Sequence, residues 1–192
     1  MYVSYTSGKF NSDSMQQSTG KTITWKRPPD DFIKLNFDGS VKSDSTASAG
    51  FILRNTDGNP LLASSNSCGK SNVLCAEAFA LRAGLYAALL NGHKKIMVEG
   101  DSKIVIDCLN NKCSIPWKIL SIIKDIQTLA KLFSEISFTH IWREANFAAD
   151  AVANIGQEEL RALSWTSDFP PQVRKAVLFD LLNIGCIRGA SL

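Results

Sequence analysis

Histidine is scarce in this 192-residue chain, which has only His93 and His140. The five cysteines, Cys68, Cys75, Cys108, Cys113 and Cys186, form no C-x-x-C pair. So few nitrogen and sulfur donors at ligand spacing argue against a zinc site. The odd, scattered cysteine count favours free, buried thiols in a reducing compartment over a disulfide framework. No apolar run approaches the roughly 20 residues of a membrane span. The first residues, "MYVSYTSGKFNSDSMQQSTG", have no basic segment leading into an apolar stretch, so no secretory signal is expected. Neither sign of charge dominates: 21 Lys and Arg against 18 Asp and Glu give +3, which allows a polyanionic partner without demanding one. The expectation is an intracellular protein, nuclear or cytoplasmic, monomeric and without a membrane partner.

What is present is the composition of a globular domain, with 45% hydrophobic and 20% charged residues, in a chain long enough for one real core plus tails. Residues 1–24, rich in Ser, Thr, Gln and Gly without periodicity, read as a disordered leader. Residues 25–163 read as the domain and 164–192 as a tail. "FIKLNFDGS", "ASAGFILRN" and "PLLASSNSC" are short strands joined by turns, an antiparallel meander. From about residue 73 to 91 the period becomes helical, with Ala76, Phe79, Ala80, Ala83, Ala87 and Leu90 as the apolar stripe and Gly92 as the stop. "IMVEGD" is a strand, and Ser102 is placed to cap a helix through "KIVIDCLNN". A helix from Pro116, a strand "ISFTHIW" and a helix "EANFAADAVANIG", with Asn146 as cap, complete the domain. In the tail, Val173, Val177, Leu181 and Ile184 mark a docking helix after "FPP". Strand, helix, strand units of this length imply right-handed crossovers and parallel pairing. The fold class expected is α/β, a mixed five-stranded sheet flanked by helices on both faces.

On this plan Asp38 and Asp101 stand at the C-terminal ends of strands, where open α/β sheets place their ligands. Glu77 falls in the first turns of the long helix and Asp150 one turn into the last one. Asp150 lies in a run otherwise made of Ala, Val and Phe, where an ionised carboxylate is costly unless paired. Four carboxylates converging on one sheet end would repel one another unless cations lay among them. Mg²⁺ or Mn²⁺, two ions per site, answers that need with oxygen ligands, and such a pair can hold the attacking and leaving oxygens of a phosphodiester. The carboxylates also have an ordinary reading, as turn formers at strand ends and acids at helix starts.

"KLNFDGS", "AEAFALRAGLYAAL", "IMVEGDS" and "HIWREANFAADAVA", in that order, resemble the ribonuclease H family. The resemblance is to the plant ribonuclease-H-like domain that ends non-LTR retroelement reverse transcriptases and also occurs free-standing. It covers about residues 25 to 188, including "WKRPPDD" and "FPPQVRKAVLFD". It implies the ribonuclease-H-like fold and an acidic, metal-binding catalytic tetrad at Asp38, Glu77, Asp101 and Asp150. The implied activity is endonucleolytic hydrolysis of the RNA strand of an RNA–DNA hybrid, leaving a 3′-hydroxyl and a 5′-phosphate. Asp38 and Asp101 are then the shared metal ligands, with Glu77 also able to orient the ribose 2′-hydroxyl.

The chain departs from the family in two places. The loop histidine of many members falls by ungapped count on His140, which here lies in a strand, so a structural role and a catalytic one both stand. Arg143 is its rival for phosphate contact. The extra basic helix of some members has no room here. Ser71 and Asn72, before the Glu77 helix, are candidates for nucleic-acid contact, with helix capping the plainer account. Trp25, Trp117 and Trp142 are expected as core anchors. The alternative to a nuclease is a retroelement-derived domain that binds nucleic acid with weak or no turnover.

Overall fold

The computed structural model describes residues 22–158 and 161–188. The expected leader therefore lies outside the described residues, apart from its last three. Of these, Thr22–Ile23 forms a short strand, β1, paired antiparallel with Cys186–Ile187 of the tail, β8.

The meander is present as β2 (Ile33–Val41), β3 (Thr46–Arg54) and β4 (Pro60–Lys70). β5 (Lys95–Gly100) pairs parallel with β2, and β6 (Glu135–His140) parallel with β5. A sixth strand that the sequence reading lacks, β7 (Leu163–Trp165), lies antiparallel on β4 and gives the order β6-β5-β2-β3-β4-β7. Three residues are too few to show a period, and only the free edge of β4 makes them a strand. The fold is nonetheless the α/β, ribonuclease-H-like arrangement expected.

The helices are α1 (Val73–Leu90), α2 (Lys103–Leu109), α3 (Leu120–Ala130), α4 (Phe147–Ile155) and α5 (Pro171–Leu181). Where one helix was expected from Pro116, a 3-10 turn at Trp117–Ile119 precedes α3. Ser102 precedes α2 but makes no side-chain cap bond. Leu35, Phe37, Phe51, Leu53, Ile96 and Val98 point to one sheet face and pack beneath α1, α2 and α3. Ile52 and Ala63 point to the other and pack beneath α4 and α5. In the tail helix Val173 and Val177 are buried, while Ile184 beyond it is exposed.

α1 is long and apolar enough to cross a membrane, 18 residues with mean hydropathy 1.6, although no such run was apparent in the sequence reading. Its apolar character serves the sheet, where Ala76, Ala80, Leu81, Leu85 and Ala88 are buried. A helix apolar nearly all round gives no unique phase to its stripe, and Leu90, assigned to the packed face, is 70% exposed. Of the expected aromatic anchors only Trp25 is buried. Trp117 is 81% and Trp142 44% exposed, because both fall in connections at the surface rather than on a packed face. Likewise, all five thiols are free as expected, yet only Cys108 is buried and Cys113 is exposed.

Candidate active site

Asp38 and Asp101 become neighbours through the parallel register, which sets Phe37 beside Gly100. Glu77 reaches the same place from the first turns of α1 because Gly39 allows the helix to sit directly on β2. A Cβ at Gly39 would lie 2.7 Å from the carbonyl carbon of Ala76, closer than packed atoms tolerate. The result is a cluster in which one carboxylate oxygen each of Asp38, Glu77 and Asp101 lies within 4.8 Å of the others. Asp38 and Glu77 are buried.

Burial pushes the Asp38 carboxyl well above the usual carboxylate range, and the charges of Asp101 and Asp150 push it further, against the pull of Arg143. Burial does the same to Glu77, with Asp38 and Asp101 adding to it and the Gly39 N–H opposing. Glu77 Oε2 has no hydrogen-bond partner, although it is buried. Three converging carboxylates, one of which also keeps a buried and unpartnered oxygen, are a donor set of hard oxygens alone. That chemistry fits Mg²⁺ or Mn²⁺ and does not fit a soft metal.

Asp150 stands beside this cluster rather than within it at ligand spacing. Arg143 donates to its Oδ1 at 2.9 Å and Asn154 to its Oδ2 at 2.9 Å. The pairing of Asp150 that its apolar run demands is thus met by Arg143, whose side chain is itself 71% exposed. His140, at the end of β6, contacts the backbone carbonyl of Asp101 through Nε2 at 3.2 Å and meets the Trp142 ring edge-on. Its bond is to the main chain and not to a carboxylate. Asn72 caps α1, its Oδ1 accepting from the Cys75 N–H at 3.0 Å, and the Ser71 N–H donates to Ser45.

Asn146 precedes α4, but its side chain does not cap the helix. It is buried, and its Nδ2 donates to the Phe37 carbonyl at 2.9 Å and to Asp101 Oδ1 at 3.1 Å. A polar residue before an apolar helix reads as a cap in any sequence, and only the packing of α4 across β2 turns it toward Asp101.

A mixed sheet of this order, with an acidic cluster where the parallel pairing of β2 with β5 ends, Asp38 standing inside β2 rather than at the strand end expected for it, defines the ribonuclease-H-like class. A family profile described as reverse transcriptase-like matches residues 36–156, and the chain belongs to that family. A curated Arabidopsis thaliana protein named "Putative ribonuclease H protein" is 26% identical over 140 residues, 72% of this chain and 23% of that one, so the chain spans less than a quarter of this relative. Among solved structures, ribonuclease H1 of the archaeon Halobacterium salinarum is 28% identical with a TM-score of 0.63, covering 66% of this chain and 98% of its own. The N-terminal ribonuclease H domain of a Mycobacterium tuberculosis protein is 25% identical with the same TM-score, covering 66% and 94%. LC11 ribonuclease H1, solved with an RNA/DNA hybrid, shares the fold at 22% identity and a TM-score of 0.61, covering 66% and 96%.

Proposed function

We propose that this domain is a divalent-metal-dependent endonuclease that hydrolyses the RNA strand of an RNA–DNA hybrid. The observation that carries the reading is the convergence of one carboxylate oxygen each from Asp38, Glu77 and Asp101, together with a Glu77 Oε2 that is buried and unpartnered. Asp38, Glu77 and Asp101 hold the metal, with Asp150 completing the set. When bound, two such ions lower the cost of ionising the attacking water and of charging the departing 3′ oxygen.

The chain's own residues do the rest. Asp38 and Asp101, on adjacent strands of a rigid sheet, would fix where the cations sit and through them where the scissile phosphate is held. Glu77, at the start of α1, is placed to take the ribose 2′-hydroxyl, which separates RNA from DNA. Arg143 neutralises Asp150 and, being largely exposed, can exchange that carboxylate for a substrate phosphate oxygen. Ser71 and Asn72, at the lip of the α1 N-terminus, are placed to touch the hybrid backbone. Family membership supports descent from a retroelement reverse transcriptase.

A labelled RNA–DNA hybrid incubated with Mg²⁺, with Mn²⁺ and with a chelator tests this. RNA-strand cleavage is expected with either metal and not with the chelator. Asp101→Asn should reduce it by roughly 10³-fold, about 4 kcal/mol of barrier, while the fold is kept. Wild-type cleavage by that variant would show the site to be wrongly assigned. The closed Arg143–Asp150 pair favours a second reading, a hybrid-binding domain without turnover, which no product in that assay and retained binding in a titration of the same labelled hybrid would report.

A further inference from the structure

The sheet face beneath α4 and α5 carries charge where a core is expected. Lys34, Asn36, Arg54, Glu99 and Asp180 are all buried there. Lys34 pairs with Glu99 at 2.6 Å. Arg54, with no exposed side-chain surface, pairs with Asp180 of α5 at 2.6 Å. From that pair a continuous line of hydrogen bonds runs toward the acidic cluster. The other arm of the Arg54 guanidinium donates to Asn36 Oδ1 at 2.8 Å, which also accepts from Trp25 Nε1 at 3.0 Å. Asn36 Nδ2 approaches Asn146 Oδ1 at 3.4 Å, and Asn146 Nδ2 donates to Asp101. Arg54 lies 3.5 Å over the Trp25 ring, which closes the network from the N-terminal side.

The donor and acceptor inventory explains why each member is the residue it is. Asn36 Oδ1 has two lone pairs and both are taken, so its orientation is dictated by Trp25 and Arg54. That orientation turns Nδ2 toward Asn146 and leaves the Asn146 amide one arrangement, oxygen to Asn36 and nitrogen to Phe37 and Asp101. Reversing the Asn146 amide would set two donors against each other and an oxygen against the Asp101 carboxylate. Arg54 in turn keeps its place because a buried guanidinium without Asp180 is costly.

We infer that Asn146 is a positioning residue for Asp101, and that the tail helix α5 holds it in place through Asp180, Arg54 and Asn36. The tail is then part of the metal site's support rather than an appendage. Residues bonded to a metal-ligating carboxylate fix its aim, and their loss typically weakens metal binding by about 10- to 100-fold. The inference rests on the proposed reading of the acidic cluster as a metal site.

The test is Mn²⁺ titration by calorimetry on wild type, Asn146→Ala, the paired variant Arg54→Met/Asp180→Leu, and all three changes together. Circular dichroism checks that each is folded. Replacing both charges keeps the core apolar and filled, which buried ion pairs generally tolerate. Wild type should bind Mn²⁺. Asn146→Ala should weaken binding about 10-fold or more, and the paired variant about threefold or more. Added to Asn146→Ala, the paired change should alter affinity less than twofold, because its effect passes through Asn146. Equal effects of the paired change in both backgrounds, or unchanged Mn²⁺ affinity in either folded variant, would overturn the inference while leaving the metal site standing. No Mn²⁺ binding by wild type would overturn the site and the inference with it. Should Asn146→Ala not fold, Asn146→Ser removes the same donor from reach with less lost volume and is read by the same criteria.

Discussion

Asp38 is held in the fold against its preference for ionisation. Because its folded carboxyl titrates above the ordinary range near pH 4, the folded protein binds more protons than the unfolded chain over the interval between the two. Stability of the metal-free protein therefore falls as pH rises through that interval, and the loss persists above it. Glu77 acts in the same sense. In chelator, Asp38→Asn should melt at a higher temperature than wild type at about pH 8, with the gap closing toward about pH 4. Thermal melts across that range check this, and a constant gap would rule out the charge as its cause. His140 makes its bond to the Asp101 main chain and rests against Trp142. Its removal is expected to cost about 1 kcal/mol of stability, with turnover of the folded His140→Ala enzyme within about tenfold of wild type. A fall of about 100-fold in turnover at unchanged stability would give it a proton-transfer role instead.

Among the elements, α1 decides the site by where it begins. Its approach to β2 is set by the absent side chain at Gly39, and α4 makes the matching approach to β3 at Gly50, where a Cβ would lie 2.5 Å from the Ala153 Cα. In both cases the obstruction is backbone, which cannot rotate aside. Gly39→Ala is expected to destabilise by about 1–3 kcal/mol. Since it displaces the turn that carries Glu77, it should also lower hybrid cleavage by about 10-fold or more, the scale on which misplacement of a reacting group acts. Denaturant unfolding and the cleavage assay on one preparation measure both, and a stability loss alone would mean that α1 re-seats without moving Glu77.

Across the whole molecule, a charge of +3 is small for a protein that grips a polyanion. The connection between α2 and α3 is short, and no DNA-gripping helix stands there among the described residues. With about two to four phosphates neutralised, log K for a hybrid should fall against log salt with a slope of roughly −2 to −4, taking about 0.9 per phosphate from B-form DNA. A titration of Asp101→Asn protein in chelator at several salt concentrations measures it. A slope near −8 would assign a grip to the basic residues outside the acidic motifs, Lys21, Lys26, Arg27, Arg174, Lys175 and Arg188.

The strands of the meander, the length of α1, the presence of parallel pairing and the four acids in their order were all legible in the residues. Period, turn chemistry and crossover handedness are local or nearly local properties. That β5 lies beside β2, which sets Asp38 next to Asp101, is a condition the residues leave open, because handedness rules say how a crossover turns and not which strand it returns to. Tertiary structure alone decided the rest. It gave Asp150 the Arg143 guanidinium as its partner, turned Asn146 from a helix cap into a donor to Asp101, and exposed Trp117. It also buried Lys34, Asn36 and Arg54, polar positions of strands whose second face is covered by α4 and α5. The physical reason is one of range. A side chain's period shows which way it points, while its partner is chosen by a chain segment up to 126 residues away, as Arg54 and Asp180 are.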